Sequence, residues 1–148
     1  MATPVQPTPG DIYRHTRFYQ NTQGHWQTKY LLLLTHTSDG DVVFRLLTSR
    51  AYNRPEYPPC YHGDPYPGFY LGYLGGRLTA KSWLDLRKRE DYDGRAFIAH
   101  FNAGWLVPVL TLPLNLLCAA LDSAASADDT TKQQERLMRD QRTVLNCR

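Results

Sequence analysis

Residues 29–35, KYLLLLT, and residues 42–48, VVFRLLT, flank the turn sequence Ser38-Asp39-Gly40. Asp-Gly between two short apolar runs predicts a β-hairpin, because both residues accept the positive φ that a tight hairpin turn demands. Before it, residues 11–20 (DIYRHTRFYQ) mix aromatic and polar side chains in rough alternation and end at the turn chemistry of Asn21-Thr22-Gln23-Gly24. After it, residues 69–74 (FYLGYL), the Gly75-Gly76 turn and residues 77–86 (RLTAKSWLDL) repeat the hairpin pattern. Antiparallel strands are therefore expected at about 12–19, 29–35, 42–48, 69–74 and 78–86.

Between the hairpins, Pro55, Pro58, Pro59, Pro65 and Pro67 remove backbone donors and fix φ, so residues 50–68 are expected to form neither a regular strand nor a helix. Residues 87–94 (RKREDYDG) read as a charged connection, and residues 95–107 fit neither the helical nor the strand period. Farther on, Thr111 can cap a helix with Pro113 in its first turn, and Leu114, Leu117, Cys118 and Leu121 fall on one face of it. Ser126, Asp128 and Asp129 can start a second helix to about Leu145, with Arg136, Arg139 and Arg142 toward its C-terminal end and a thin apolar face of Leu137, Met138, Val144 and Leu145. The expected fold is mainly β with C-terminal helices: a small antiparallel sheet or partly open barrel covered by one or two α-helices.

A chain of 148 residues is one domain. It divides into a loose N-terminal arm over residues 1–10, a β domain with its packed helix over 11–125, and a C-terminal helix over 126–148. The apolar stretch 105–121 is interrupted by Pro108, Thr111, Pro113 and Asn115, so no membrane span is expected. No positive region followed by an apolar run opens the chain, and three cysteines without CxxC spacing argue against a disulfide framework and a thiolate zinc site, so a reducing, cytoplasmic location is expected. A net charge of +3 permits a nucleic-acid partner without requiring one.

Several of these segments, taken in order, resemble the PemK/MazF-like family of toxin endoribonucleases. Gly10-Asp11-Ile12 is similar to the family's opening Gly-Asp-hydrophobic, residues 29–35 to its basic-then-apolar second strand, and residues 42–49 (VVFRLLTS) to its strand ending in Leu-Thr-Ser. Ser82 to Arg87 (SWLDLR) is similar to the later strand that carries an acidic and a basic residue. The resemblance implies an SH3-like barrel with a C-terminal helix, and metal-independent cleavage of single-stranded RNA through attack by the ribose 2′-hydroxyl, with no cofactor. Toxin-antitoxin pairing implies an antitoxin-like protein inhibitor and a homodimer. Lys29 lies where the family has its catalytic arginine, Thr48 and Ser49 where it has a Thr-Ser pair, and Asp85 with Arg87 near its later polar positions. The family's Arg-Pro is Lys29-Tyr30 here, and lysine offers a point charge where arginine would offer a fork.

Independently of that resemblance, the proline-rich loop interleaves cations with rings, as in sites where guanidinium groups hold phosphates and aromatic faces stack on unpaired bases. Arg50, Arg54, Tyr57, Tyr61 and His62, together with Trp26, are the candidates for gripping a single strand. Set against this, tyrosines can pack on prolines to tether a loop, Thr48 and Ser49 can cap a turn, and Asp85 and Arg87 can form a surface pair. Cys60, His62 and Asp64 match no zinc spacing, and His15, His25, His36 and His100 are scattered. The alternative to a nuclease is a non-enzymatic module that recognises a protein or nucleic acid through the 50–68 loop. A third reading is an obligate dimer or complex subunit that buries the thin face of the last helix against a partner.

Overall fold

The computed structural model describes residues 6–37, 41–89 and 92–148. In chain order the elements are β1 (Asp11–Gln20), β2 (Trp26–His36), β3 (Val42–Thr48), β4 (Cys60–Tyr61), β5 (Gly68–Gly72), β6 (Ser82–Asp85), α1 (Gly94–Asn102), β7 (Leu106–Thr111), α2 (Leu114–Ala125) and α3 (Lys132–Val144). Seven strands form one sheet in the order β4-β5-β6-β3-β2-β1-β7, every described pairing antiparallel. The hairpin of β2 and β3 pairs Leu31 with Leu46 and His36 with Val42, while its Ser38-Asp39-Gly40 turn lies outside the described residues. The sheet ends on β4 and β7 and does not close, which corrects the barrel to an open sheet.

The uninterrupted apolar run of β2 follows from burial on both sheet faces, since successive side chains of a strand point to opposite faces. Leu32 and Leu34 join Ile12, Val43, Leu47, Leu117, Leu121 and Met138 in a core beneath α2 and α3. Leu31 and Leu33 join Tyr13, Phe44, Leu46, Tyr92 and Phe97 in a second core beneath α1. Most of the thin apolar face of α3 is spent inside the chain: Met138 is fully buried, Leu137 and Leu145 pack on the same core, and Val144 stays exposed. A partner is thus not needed to cover it.

Several local expectations change. The ambiguous stretch resolves into α1, capped by Asp93, which accepts from the Ala96 amide at 2.9 Å, and β7, the edge strand against β1. Thr111 does not cap α2; its hydroxyl donates to Asp11 at 2.6 Å, and Pro113 takes the cap position. α3 starts later than Ser126, Asp128 and Asp129 suggested, because Thr131 and Gln134 form a reciprocal capping box. The proline-rich loop includes the two-residue strand β4, paired to β5 through Cys60↔Phe69 and Tyr61↔Gly68. Leu78, expected in a strand, sits in a single bridge to Gly75, and β6 begins at Ser82. Cys118 and Cys147 form a disulfide that ties α2 to the chain beyond α3, correcting the expectation of unpaired thiols, so the cysteines no longer argue for a reducing compartment. No helix among the described residues is long and apolar enough to cross a membrane.

The described end of the arm is tied down as well. Pro7 and Gly10 are buried, the Gly10 amide donates to Leu33 O at 2.8 Å, and Gly10 O accepts from the Leu112 amide at 2.9 Å. Gly10 has φ +95°, and a Cβ there would stand 2.9 Å from Leu117 Cδ2. Gly10→Ala is therefore expected to destabilise the fold by about 2 kcal/mol, through left-handed strain plus displacement of a core leucine. Chemical denaturation checks it, and an unchanged midpoint would mean that Leu117 yields freely.

Candidate nucleic-acid interface

β3 changes partners midway. Its ladder with β2 runs to Leu31↔Leu46, and its ladder with β6 begins at Leu47↔Leu84 and Thr48↔Trp83. Past that switch the start of β2 and the end of β3 no longer bond, and a cleft of about 540 Å³ opens between them. It is lined by Lys29 and Tyr30 of β2, by Thr48, Ser49 and Arg50 at and after the end of β3, by Asp85, Arg87 and Arg89 at and beyond the end of β6, and by Arg77 and Thr79 before β6. All five residues that the family resemblance singles out, Lys29, Thr48, Ser49, Asp85 and Arg87, line this one cleft.

Charge in the cleft is one-sided. Among the described residues, Lys29, Arg50, Arg77, Arg87 and Arg89 share the cleft with a single carboxylate, Asp85. That carboxylate is engaged: Arg87 donates to it through Nε at 3.0 Å and Nη2 at 2.7 Å and through its backbone amide at 3.0 Å, and Arg54 Nη2 lies 3.7 Å away. The same bond to Asp85 raises the Arg87 guanidinium above its ordinary pKa. Asp85 is thereby held as an acceptor rather than set free as a base. Thr48 Oγ1 accepts from the Arg50 amide at 3.1 Å, which closes the turn after β3, while Ser49 is exposed. Arg50 is exposed and donates to the Tyr52 hydroxyl at 2.7 Å, a bond that raises its pKa further. Tyr19 and Tyr52, 46% and 47% exposed, line the same cleft, Tyr19 with exposed ring surface and Tyr52 stacked on Tyr66 beneath the Arg50 guanidinium.

The other expected strand-gripping residues separate. Arg54 is buried at 4% exposure; Nε donates to Pro67 O at 3.2 Å and Nη1 to Arg50 O at 3.1 Å, so its fork braces the loop from within. Its assignment to a phosphate is corrected on that ground. Tyr66 lies beside Tyr52, with ring centroids 4.8 Å apart, and carries the guanidinium groups of Arg54 and Arg87 over its ring, while Trp83 Nε1 donates to Pro55 O at 3.1 Å. The loop is thus a packed unit, fastened by its own aromatic residues. Trp26, Tyr57, Tyr61 and His62 do not line the cleft: Trp26 opens β2 half exposed, Tyr57 projects at 89% exposure, and Tyr61 lies on β4. His62 Nε2 is 3.1 Å from Cys60 Sγ, which also meets the Ser123 hydroxyl, so this corner fastens the sheet edge to α2. No group of three or more metal-binding side chains gathers among the described residues.

Tyr19, Arg77 and Arg89 were missed from sequence. Arg77 follows a Gly-Gly turn and Arg89 sits in a charged connection, contexts that ordinarily mean solvent, and only the fold brings them to β3. Two histidines that read as scattered are bonded. His15 Nδ1 accepts from the Arg17 amide at 3.1 Å, so its proton lies on Nε2 and is donated to His100 Nδ1 at 2.7 Å; the Tyr92 hydroxyl reaches the same nitrogen at 2.9 Å. Burial, then the His100 charge, lowers the His15 pKa to about 4, and burial lowers that of His100.

Comparison of the chain with protein-family models, with curated proteins and with solved structures returns no match.

Proposed function

We propose that the cleft binds single-stranded RNA, its cations along the phosphates and Tyr19 against an unpaired base. One observation carries the reading: five cations and the exposed ring of Tyr19, from β1, β2, the loop after β3 and the segments around β6, line one opening that holds, among the described residues, a single, already paired carboxylate. Such a surface suits a polyanion that also presents flat apolar faces, which a duplex hides. In a salt titration, Lys29→Ala and Arg77→Ala should each reduce the slope of log affinity against log salt by about 0.7. Tyr19→Ala should weaken binding with little change in slope, because stacking releases few counterions. Failure of single-stranded RNA to bind under low salt would sink the proposal, and a protein partner lost on the same substitutions would turn the cleft into a protein-docking site.

A second reading, metal-independent RNA cleavage, is favoured by the convergence of Lys29, Thr48, Ser49, Asp85 and Arg87. In it the ribose 2′-hydroxyl loses its proton to solvent as its oxygen bonds the adjacent phosphorus, the bond from phosphorus to the 5′-oxygen breaks and that oxygen takes a proton from solvent, leaving a 2′,3′-cyclic phosphate and a 5′-hydroxyl, while Lys29 with Arg87 offsets the charge of the phosphorane. The bonds that already occupy Asp85 and Thr48 weigh toward binding without cutting. RNA incubated with the protein and a chelator decides between them: fragments that vanish with Lys29→Ala support cleavage, and intact RNA that remains bound supports the binding module.

A further inference from the structure

Residues 51–54 form a tight turn beside the cleft. The Arg54 amide donates to Ala51 O at 2.8 Å, and the two residues between, Tyr52 and Asn53, have φ of +47° and +68°. Asparagine enters that left-handed region readily; a tyrosine does not, because its Cβ crowds the neighbouring carbonyl. Turns with two positive φ values are ordinarily built from glycine, asparagine and aspartate. Burial does not explain the tyrosine here, since it stays 47% exposed.

Strain of this kind persists only where the surroundings hold it, and it gathers where a side chain is needed in one place. Tyr52 is held on two sides. Its ring stacks on Tyr66, with centroids 4.8 Å and planes 26° apart, and its hydroxyl accepts from Arg50 Nη1 at 2.7 Å. Tyr66 in turn carries the Arg87 guanidinium 4.9 Å from its centroid. Arg87 is oriented by its own bonds to Asp85 at 3.0 and 2.7 Å. Arg50 has no such carboxylate: among the described residues, the Tyr52 hydroxyl is the only side-chain group bonded to its guanidinium. An exposed arginine left to itself samples many rotamers and loses that freedom when it grips a phosphate, so a fixed acceptor removes part of the cost before the ligand arrives.

We infer that Tyr52 is a positioning residue of the cleft: held in a strained turn by its stack on Tyr66, it orders the Arg50 guanidinium, and the two rings link Arg50 to Arg87 so that both cations meet a strand at a set separation. The inference rests on the reading of the cleft as a site for single-stranded RNA. Tyr52 acts through Arg50 and not as a platform for a base, because one face of its ring is already taken by Tyr66.

Tyr52→Phe keeps the ring and removes only the hydroxyl. It should leave the melting temperature unchanged and weaken binding of single-stranded RNA about threefold, and the same substitution should have no effect in the Arg50→Ala background, because the group it orders is gone. Without RNA, the order parameter of the Arg50 Nε–H should be high in the natural chain and fall in Tyr52→Phe. Equal order in the two proteins, equal RNA affinity of the two, or a loss of affinity that persists undiminished in Arg50→Ala overturns the positioning role. Failure of RNA to bind the natural chain, with Arg50 still ordered by the Tyr52 hydroxyl, overturns the RNA reading and leaves the ordering of Arg50 standing.

Discussion

Arg54→Ala is expected to lower the stability of the fold by about 3 kcal/mol, whereas Arg50→Ala, four residues earlier on the same loop, should leave the melting temperature unchanged. The difference is burial. Truncating Arg54 strips donors from Pro67 O and Arg50 O, removes the nearby charge from Asp85, and vacates the space against which Gly68 is packed, where a Cβ would meet Arg54 Cδ at 2.5 Å. Arg50 loses a bond to an exposed tyrosine and nothing from the interior. In RNA binding the order should reverse, with Arg50→Ala reducing the salt slope by about 0.7. Thermal melting and salt titration of both variants check this. An Arg54→Ala protein of unchanged stability and reduced slope would return Arg54 to the strand-binding set.

Acid should destabilise the fold through His15 by about 3 kcal/mol between neutral pH and pH 4. The ordinary imidazole value is 6.5, and in the fold it falls to about 4, because the ring is fully buried and faces His100. A depressed histidine means that the unfolded chain takes up the proton first. Stability therefore declines as pH falls from about 6.5 and levels off below about 4 as regards this group. His100, lowered in the same direction, adds to the effect. The bonding explains why neither ring accepts a proton readily: His15 Nδ1 already takes the Arg17 amide, and His100 Nδ1 takes His15. Denaturation midpoints of the natural chain and of His15→Gln, measured from pH 7.5 to 4, should diverge at the neutral end and converge at the acid end. Parallel curves would place the acid sensitivity elsewhere.

The elements were largely legible where local chemistry is decisive. The β2–β3 hairpin follows from apolar runs around Asp39-Gly40, and α2 and α3 follow from their apolar spacing, so each was read within a few residues. Residues 95–107 were not legible because the segment holds two elements, each short: α1 shows its core one fully buried residue, Phe97, and β7 is an edge strand that carries Pro108 beside the register shift of its ladder with β1. Of the candidate site, the five residues named by resemblance share a cleft, while the residues chosen for aromatic and cationic composition divided by burial. Arg50 is at the surface and Arg54 is inside, and no pattern in RAYNR tells them apart.

Local sequence was therefore enough for β1, β2, β3, β5, α2 and α3, since turn propensity and side-chain period act over a few neighbouring residues. The features that local sequence leaves open are non-local. The switch of β3 from β2 to β6 opens the cleft and leaves the sheet unclosed; the approach of α3 buries Arg45 without a bonded carboxylate; the meeting of β1 with α1 joins His15 to His100. Each joins residues dozens of positions apart, where the energy of burial and of hydrogen bonding depends on which surfaces meet, and a stretch of chain carries no record of the surface that will cover it.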